Sequence, residues 1–205
     1  MNKLDIQAVF FDLDGVLVDA CEWHYRALNK ALSDVLGYEI PYEEHLVKYN
    51  GLPTAVKLHM LGIEKETAIK IENIKQDITL DIIKQNAKVM PEKQLLHQYL
   101  KDKGIKIGCV TNSIKKTATA MLQQTGQYEF MDLLISNEDI QKNKPFPDCY
   151  DTAVKKLMIN PFNCLCVEDS PKGIQAAKAS CIPNLWVVKN PSEVTIENFN
   201  KIIER

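Results

Sequence analysis

The sequence predicts an α/β protein, a three-layer Rossmann-like parallel sheet core with an inserted helical cap domain. Three observations carry this reading. Five short apolar runs, residues 6–11, 106–111, 133–136, 164–167 and 185–188, have the length and continuity of strands buried on both faces. Helical patterns separate the later runs, and that alternation builds a parallel sheet covered by helices. Between residues 20 and 89 the alternation stops and helical spacing alone remains.

The elements follow in order. Ile6-Gln7-Ala8-Val9-Phe10-Phe11 reads as a mostly buried strand that ends in an acidic, turn-rich stretch. Ala20, Trp23, Ala27, Ala31 and Val35 then recur at helical spacing, with Leu28 and Leu32 widening the stripe. Ile71, Ile74, Ile78 and Ile82 repeat the pattern, and Gly37, Pro41, Gly51, Pro53 and Gly62 punctuate the segment. The chain returns to the sheet near Met90-Pro91. Ala118, Met121, Leu122 and Thr125 share one helical face. Pro147 with Asp148 suits a helix start, where a missing N–H costs nothing and a negative charge meets the dipole. The expected domains are a core of residues 1–19 and 90–205 and a cap of residues 20–89.

The bulk composition narrows the function. With 205 residues, 45% hydrophobic and 25% charged, the chain suits one core plus a small accessory domain. A net charge of −2 gives no electrostatic reason to expect nucleic acid or an anionic membrane as partner. No apolar run is long enough to span a bilayer. Residues 1–5 lack the basic start and apolar stretch of a secretory leader. A cytoplasmic monomer is the expectation. Cys21, Cys109, Cys149, Cys164, Cys166 and Cys181 form no disulfide framework, and reduced thiols are expected. No histidine pairs with them at zinc-ligand spacing.

In open parallel sheets ligands bind beyond the carboxyl ends of the strands. After the first run stand Asp12 and Asp14, two residues apart and able to project to one side of an extended backbone. Gly15 then permits a sharp turn. Crowded carboxylates call for a hard cation such as Mg²⁺, although a bare DxD is also a common acidic turn. After the second run, Thr111-Asn112-Ser113 offers donors for phosphate oxygens; the same residue types cap helices. After the third, Lys144 sits in a loop stiffened by Pro145 and Pro147, either as a fixed positive charge or as a solvated lysine. After the fourth, Glu168 and Asp169 end an apolar strand, where buried charge needs a partner or a metal; acids also favour helix starts.

These four stretches resemble the haloacid dehalogenase superfamily, in particular its phosphatase and beta-phosphoglucomutase-like branch. FFDLDGVLVD, VTNS, KNKPFPDCY and CVEDSPKGIQAAKA match its four motifs in order, from Phe10 to Ala179. The resemblance implies an Mg²⁺-dependent phosphatase acting on a small phosphomonoester through an aspartyl-phosphate. Asp12 would be the nucleophile and Asp14 the general acid/base, with its backbone carbonyl on the metal. Thr111, Asn112 and Lys144 would bind phosphate, and Asp12, Asp14, Glu168 and Asp169 would form the metal set. The cap would decide the substrate, with His24, Gly51 and Lys75 as candidates and Lys48, Tyr49 and Asn50 bordering the loop. The pattern is broken in three places: Ala20 replaces a small hydroxyl residue, the cap loop Gly51-Leu52-Pro53-Thr54 lacks an arginine, and Ile114 stands where mutases carry lysine. The two missing cations favour hydrolysis over phosphotransfer as a mutase. A non-catalytic binding protein on the same fold is the alternative from another class, disfavoured because the charged motif positions are intact.

Overall fold

The computed structural model describes residues 4–204. Residues 1–3 and 205 lie outside them, and with them part of the leader reading and the extreme ends of the expected core. The chain divides into two compact units, one of Met1–Asp19 with Lys88–Arg205 and one of Ala20–Ala87.

The first unit opens with β1, Ala8–Phe11. Ile6 and Gln7, read as part of the strand, precede it; Ile6 is buried and Gln7 is exposed. The second unit then supplies four helices, α1 (Cys21–Leu36), α2 (Tyr42–Glu44), α3 (Thr54–Met60) and α4 (Lys65–Asn86). A π-helical turn, His45–Tyr49, continues α2. The expected stripe on α1 is the buried one: Ala27, Leu28, Ala31 and Leu32 face inward and join Ile40, Tyr49, Leu58 and Ile71 in a single apolar cluster. On α4, Ile71 and Ile82 are buried, while Ile74 and Ile78 pack half-buried against the cluster. Asn29 is a polar member of this interior. Its amide accepts from Ile40 N at 3.0 Å and donates to Ile40 O at 2.8 Å, which satisfies a loop peptide that no ladder reaches.

The first unit then completes its sheet with β2 (Lys106–Val110), β3 (Leu133–Ile135), β4 (Cys164–Glu168) and β5 (Asn184–Val187). All pairings are parallel, in the order β3-β2-β1-β4-β5. Each strand lies within two residues of its expected run. Side-chain alternation along β1 sorts the layers. Ala8 and Phe10 join a cluster with Cys149, Tyr150, Ala153 and Val154 of α7 (Asp148–Leu157) and Ala176 and Ala177 of α8 (Pro171–Ala179). Phe11 faces the other way and meets His97 of α5 (Pro91–Asp102) edge-on at 5.7 Å. α6 (Lys115–Gln124) and α9 (Ile196–Ile203) complete the α-helices among the described residues. None of the six cysteines is in a disulfide; four are buried, Cys21 is half-buried and Cys181 is exposed. Among the described residues no helix is long and apolar enough to cross a membrane.

The order places β1 centrally. The chain winds from β1 through β2 to β3, then crosses back to lay β4 on the other side of β1. Loops leaving β1 and β4 therefore diverge and open a crevice at their carboxyl ends.

On α5, His97 is fully buried with Nε2 and Gln127 Oε1 2.9 Å apart. Gln127 Nε2 in turn donates to Leu17 O at 3.3 Å and Thr125 Oγ1 at 2.9 Å. Burial pushes the imidazole pKa down to about 4; the Gln127 bond opposes this, and Lys93 and Lys101 reinforce it. A histidine depressed on folding takes up its proton in the unfolded chain first, so it destabilises the fold as the pH drops below the ordinary histidine range. Urea unfolding of wild type and His97→Gln at several pH values measures this. The stability advantage of wild type over the variant shrinks by up to about 3 kcal/mol as the pH falls from about 7 to about 4.

Candidate active site

β1 ends at Phe11, and Asp12 follows with its N–H donating to Val167 O of β4 at 3.0 Å. Leu13-Asp14-Gly15 then turns sharply, with Val18 N bonded back to Leu13 O and Gly15 N to Val18 O. Gly15 has φ +87°, and a Cβ there would stand 2.1 Å from Asp169 Oδ2. Glycine is required twice over, by the backbone angle and by the approach of the β4 loop. Leu13, Val16 and Leu17 are buried, so apolar packing anchors the acidic turn.

Lys144 is only 4% exposed. Its ammonium donates to Asp12 Oδ1 at 2.8 Å, Glu168 Oε1 at 2.6 Å and Val110 O at 2.8 Å, an acceptor for each of its three protons. Burial works against this charge, yet Asp12 and Glu168 outweigh it and hold the ammonium well above the ordinary lysine range. The carboxylates are less well served. Burial pushes Glu168 up to about 7; Lys144 pulls against it and Asp12 adds to it. Burial and the charge of Asp12 push Asp169 up to about 7 as well. Asp12 is raised too, by burial first, with Lys144 opposing and Asp14 adding.

One oxygen from each of Asp12, Glu168 and Asp169 lies within 4.8 Å of the others. Glu168 Oε2 and Asp169 Oδ1 are buried with no hydrogen-bond partner. Carboxylate oxygens from three residues around one small space, two of those residues carrying an oxygen with no partner, are hard ligands that fit a divalent cation of the Mg²⁺ type. Asp14 contributes no carboxylate oxygen to this cluster; its Oδ2 accepts from Ser113 Oγ at 3.0 Å.

Thr111 is buried at the end of β2, and its Oγ1 accepts from Ser113 N at 3.0 Å, which leaves its hydroxyl proton to donate. The Asn112 amide, expected to offer donors to phosphate, spans the Lys144 peptide. Its Nδ2 donates to Lys144 O at 3.3 Å, and Lys144 N donates to its Oδ1 at 3.0 Å. The β2 loop thus fixes the main chain of the lysine whose side chain reaches Asp12.

The structure brings together Asp12, Asp14, Lys144, Glu168 and Asp169 with Thr111 and Asn112. In the helical unit, Lys75 Nζ of α4 stands 3.4 Å from His24 Nδ1 of α1. Gly51 is exposed after the π-helical turn, its N–H bonded to Asn50 Oδ1. Tyr49 is buried, and Lys48 pairs with Glu44 at 2.9 Å. Sequence reasoning assigned nothing to Tyr150 or Gly173, and it placed Ser113 only among possible phosphate donors, whereas its hydroxyl donates to Asp14. Tyr150 was accessible to it: it shares a helical face with Ala153, Val154 and Leu157, and a tyrosine on a core-facing stripe needs a partner for its hydroxyl.

Residues 9–187 match the model of the family described as haloacid dehalogenase-like hydrolase. The chain is 26% identical over 187 residues to the phosphorylated carbohydrates phosphatase of Thermotoga maritima, covering 89% of this chain and 85% of the relative. It is 28% identical to the beta-phosphoglucomutase of Bacillus subtilis, covering 85% and 80%. Among solved structures, beta-phosphoglucomutase from Clostridium difficile superposes with a TM-score of 0.82 at 24% identity, over 97% of both chains.

Gly173 gives the geometry a direct test. A Cβ at this position of α8 would lie 2.0 to 2.3 Å from the carboxylate atoms of Glu168. Alanine ordinarily improves a helix by up to about 1 kcal/mol relative to glycine. Here Gly173→Ala instead displaces Glu168 and weakens divalent-cation binding by about tenfold or more, read by calorimetric titration.

Proposed function

The chain belongs to the haloacid dehalogenase-like hydrolase family, and from that premise we propose that it is an Mg²⁺-dependent phosphatase of small phosphomonoesters, sugar phosphates foremost. The reading is carried by one observation: the Lys144 ammonium is clamped between Asp12 and Glu168, beside carboxylate oxygens that lack a partner. The relative named as a phosphatase of phosphorylated carbohydrates supports the substrate class.

Asp12 is the nucleophile. Its carboxylate oxygen forms a bond to phosphorus while the bond from phosphorus to the leaving oxygen breaks, giving an aspartyl-phosphate. A phosphate monoester dianion repels this carboxylate, and Lys144 cancels part of the repulsion from a fixed position. Asp14, held by Ser113, gives its proton to the leaving alkoxide. It then takes a proton from the water that attacks the phosphorus and frees Asp12, help worth about 10²–10⁴-fold. Thr111 donates its hydroxyl proton to a phosphoryl oxygen, and Asn112 serves by fixing the Lys144 loop. Asp12, Glu168, Asp169 and the Asp14 carbonyl would hold Mg²⁺, which when bound supplies positive charge to the phosphoryl oxygens and to the crowded carboxylates. The helical unit carries the residues that select the leaving group.

A second reading is a beta-phosphoglucomutase-like phosphotransferase, favoured by the relative of that name. Against it stand Ile114 and the loop Gly51-Leu52-Pro53-Thr54, which bring no cation for a second phosphate.

Asp12→Asn lowers turnover of an aryl phosphate by at least about a thousandfold. Asp14→Asn, given the same ester, whose leaving group needs no proton, accumulates phosphorylated protein visible by mass spectrometry. Near-normal turnover by Asp12→Asn sinks the nucleophile assignment. A sugar 1-phosphate yields free phosphate; accumulation of the 6-phosphate isomer instead establishes the mutase reading.

The pH dependence follows from the carboxylates. Glu168 and Asp169, both near 7 without metal, are partly protonated at neutral pH and must lose those protons to a cation. Mg²⁺ binding at pH 7 therefore releases protons. Its affinity falls by about tenfold or more from pH 8 to pH 6, measured by calorimetry in buffers of different ionisation enthalpy.

A further inference from the structure

Tyr150 takes no part in the chemistry described so far. Its side chain is fully buried on α7, in the cluster that packs Ala8, Phe10, Cys149 and Ala153 against the sheet. Phenylalanine would fill that volume. The hydroxyl is therefore the informative atom, and it donates to Glu168 Oε1 at 2.5 Å. Lys144 Nζ donates to the same oxygen at 2.6 Å, and this ammonium also lies 5.2 Å from the centre of the Tyr150 ring.

The consequence is a division of labour within one carboxylate. Two donors occupy Oε1, while Oε2 is buried with no partner. The Cα of Gly173 packs close against the group from α8. A carboxylate held at one oxygen by two donors from different elements cannot rotate to offer both oxygens to the lysine. Without the hydroxyl, Lys144 alone holds the group, and Glu168 is free to turn its second oxygen toward the same ammonium.

We infer that Tyr150 is a positioning residue for the divalent-cation site, its hydroxyl fixing Glu168 so that Oε1 serves Lys144 and Oε2 remains for the cation or its hydration shell. The inference rests on the metal reading of the proposed function. Partners of this outer kind typically carry about 10–100-fold in metal affinity.

Mn²⁺ is the probe, titrated against the whole protein with free ion read by electron paramagnetic resonance. Tyr150→Phe keeps the ring and its packing, and the thermal melt confirms that the variant is folded. The variant binds Mn²⁺ about tenfold or more weakly, while KM for an aryl phosphate at saturating metal stays within about twofold of wild type. In a Glu168→Gln background the same substitution costs less than about twofold, because the hydroxyl acts through that carboxylate. Wild-type affinity in Tyr150→Phe overturns the inference, as does an equal loss in both backgrounds, which a packing role alone would produce. Wild-type protein that binds no Mn²⁺ overturns the metal reading itself, a separate failure.

Discussion

The buried ammonium of Lys144 is the constraint around which the site is organised. A charge this far from water is tolerated only with full hydrogen bonding, and its three acceptors come from three places: the end of β1, the end of β2 and the end of β4. Lys144 therefore ties the central strands together at their functional ends. One ammonium among Asp12, Glu168 and Asp169 still leaves an excess of negative charge. The raised carboxylate pKa values and the orphaned oxygens are two expressions of that excess. The proposed cation has its physical ground there, in a charge imbalance that the protein's own side chains do not close.

Topology supplies the rest. Because β1 lies between β2 and β4, residues 132 and 156 positions distant in the chain reach Asp12 without long side-chain excursions: Lys144 from the β3–α7 loop and Glu168 from the last position of β4. Glu168 belongs to the ladder itself, its carbonyl accepting from Val188 N at 2.9 Å. Its backbone is thus as rigid as the sheet, and a short list of side-chain contacts sets its direction. Asn112 does for the Lys144 main chain what the ladder does for Glu168.

Much of this was legible in the sequence. Five uninterrupted apolar runs identified the strands because parallel strands are buried on both faces and need no alternation. Acids and a lysine just past those runs stood out because charge beside a core demands a reason. The helical stripe of Ala27, Leu28, Ala31 and Leu32 was equally plain. What stayed hidden were the pairings across space. Asn112 with Lys144 and Tyr150 with Glu168 are separated by 32 and 18 residues, and no periodicity links them. Nor does composition distinguish an amide that meets a ligand from one that meets a peptide. Gly173 was unreadable for the same reason: its importance lies in what would occupy the space of its missing Cβ.

That close approach bears on how the chain can diversify. At Gly15 and Gly173 the backbone of one loop lies against a carboxylate of another, so a side chain at either position displaces an anionic group already crowded by its neighbours. At Gly51, in the helical unit, an added Cβ would meet nothing within 4 Å, so only the backbone angle, φ +70°, resists a side chain. Change at Gly15 or Gly173 must therefore come with a coordinated change in the acid that faces it. On the proposed reading, in which the helical unit selects the leaving group, a chain of this build would reach new substrates through its helices while the strand tips held the chemistry constant.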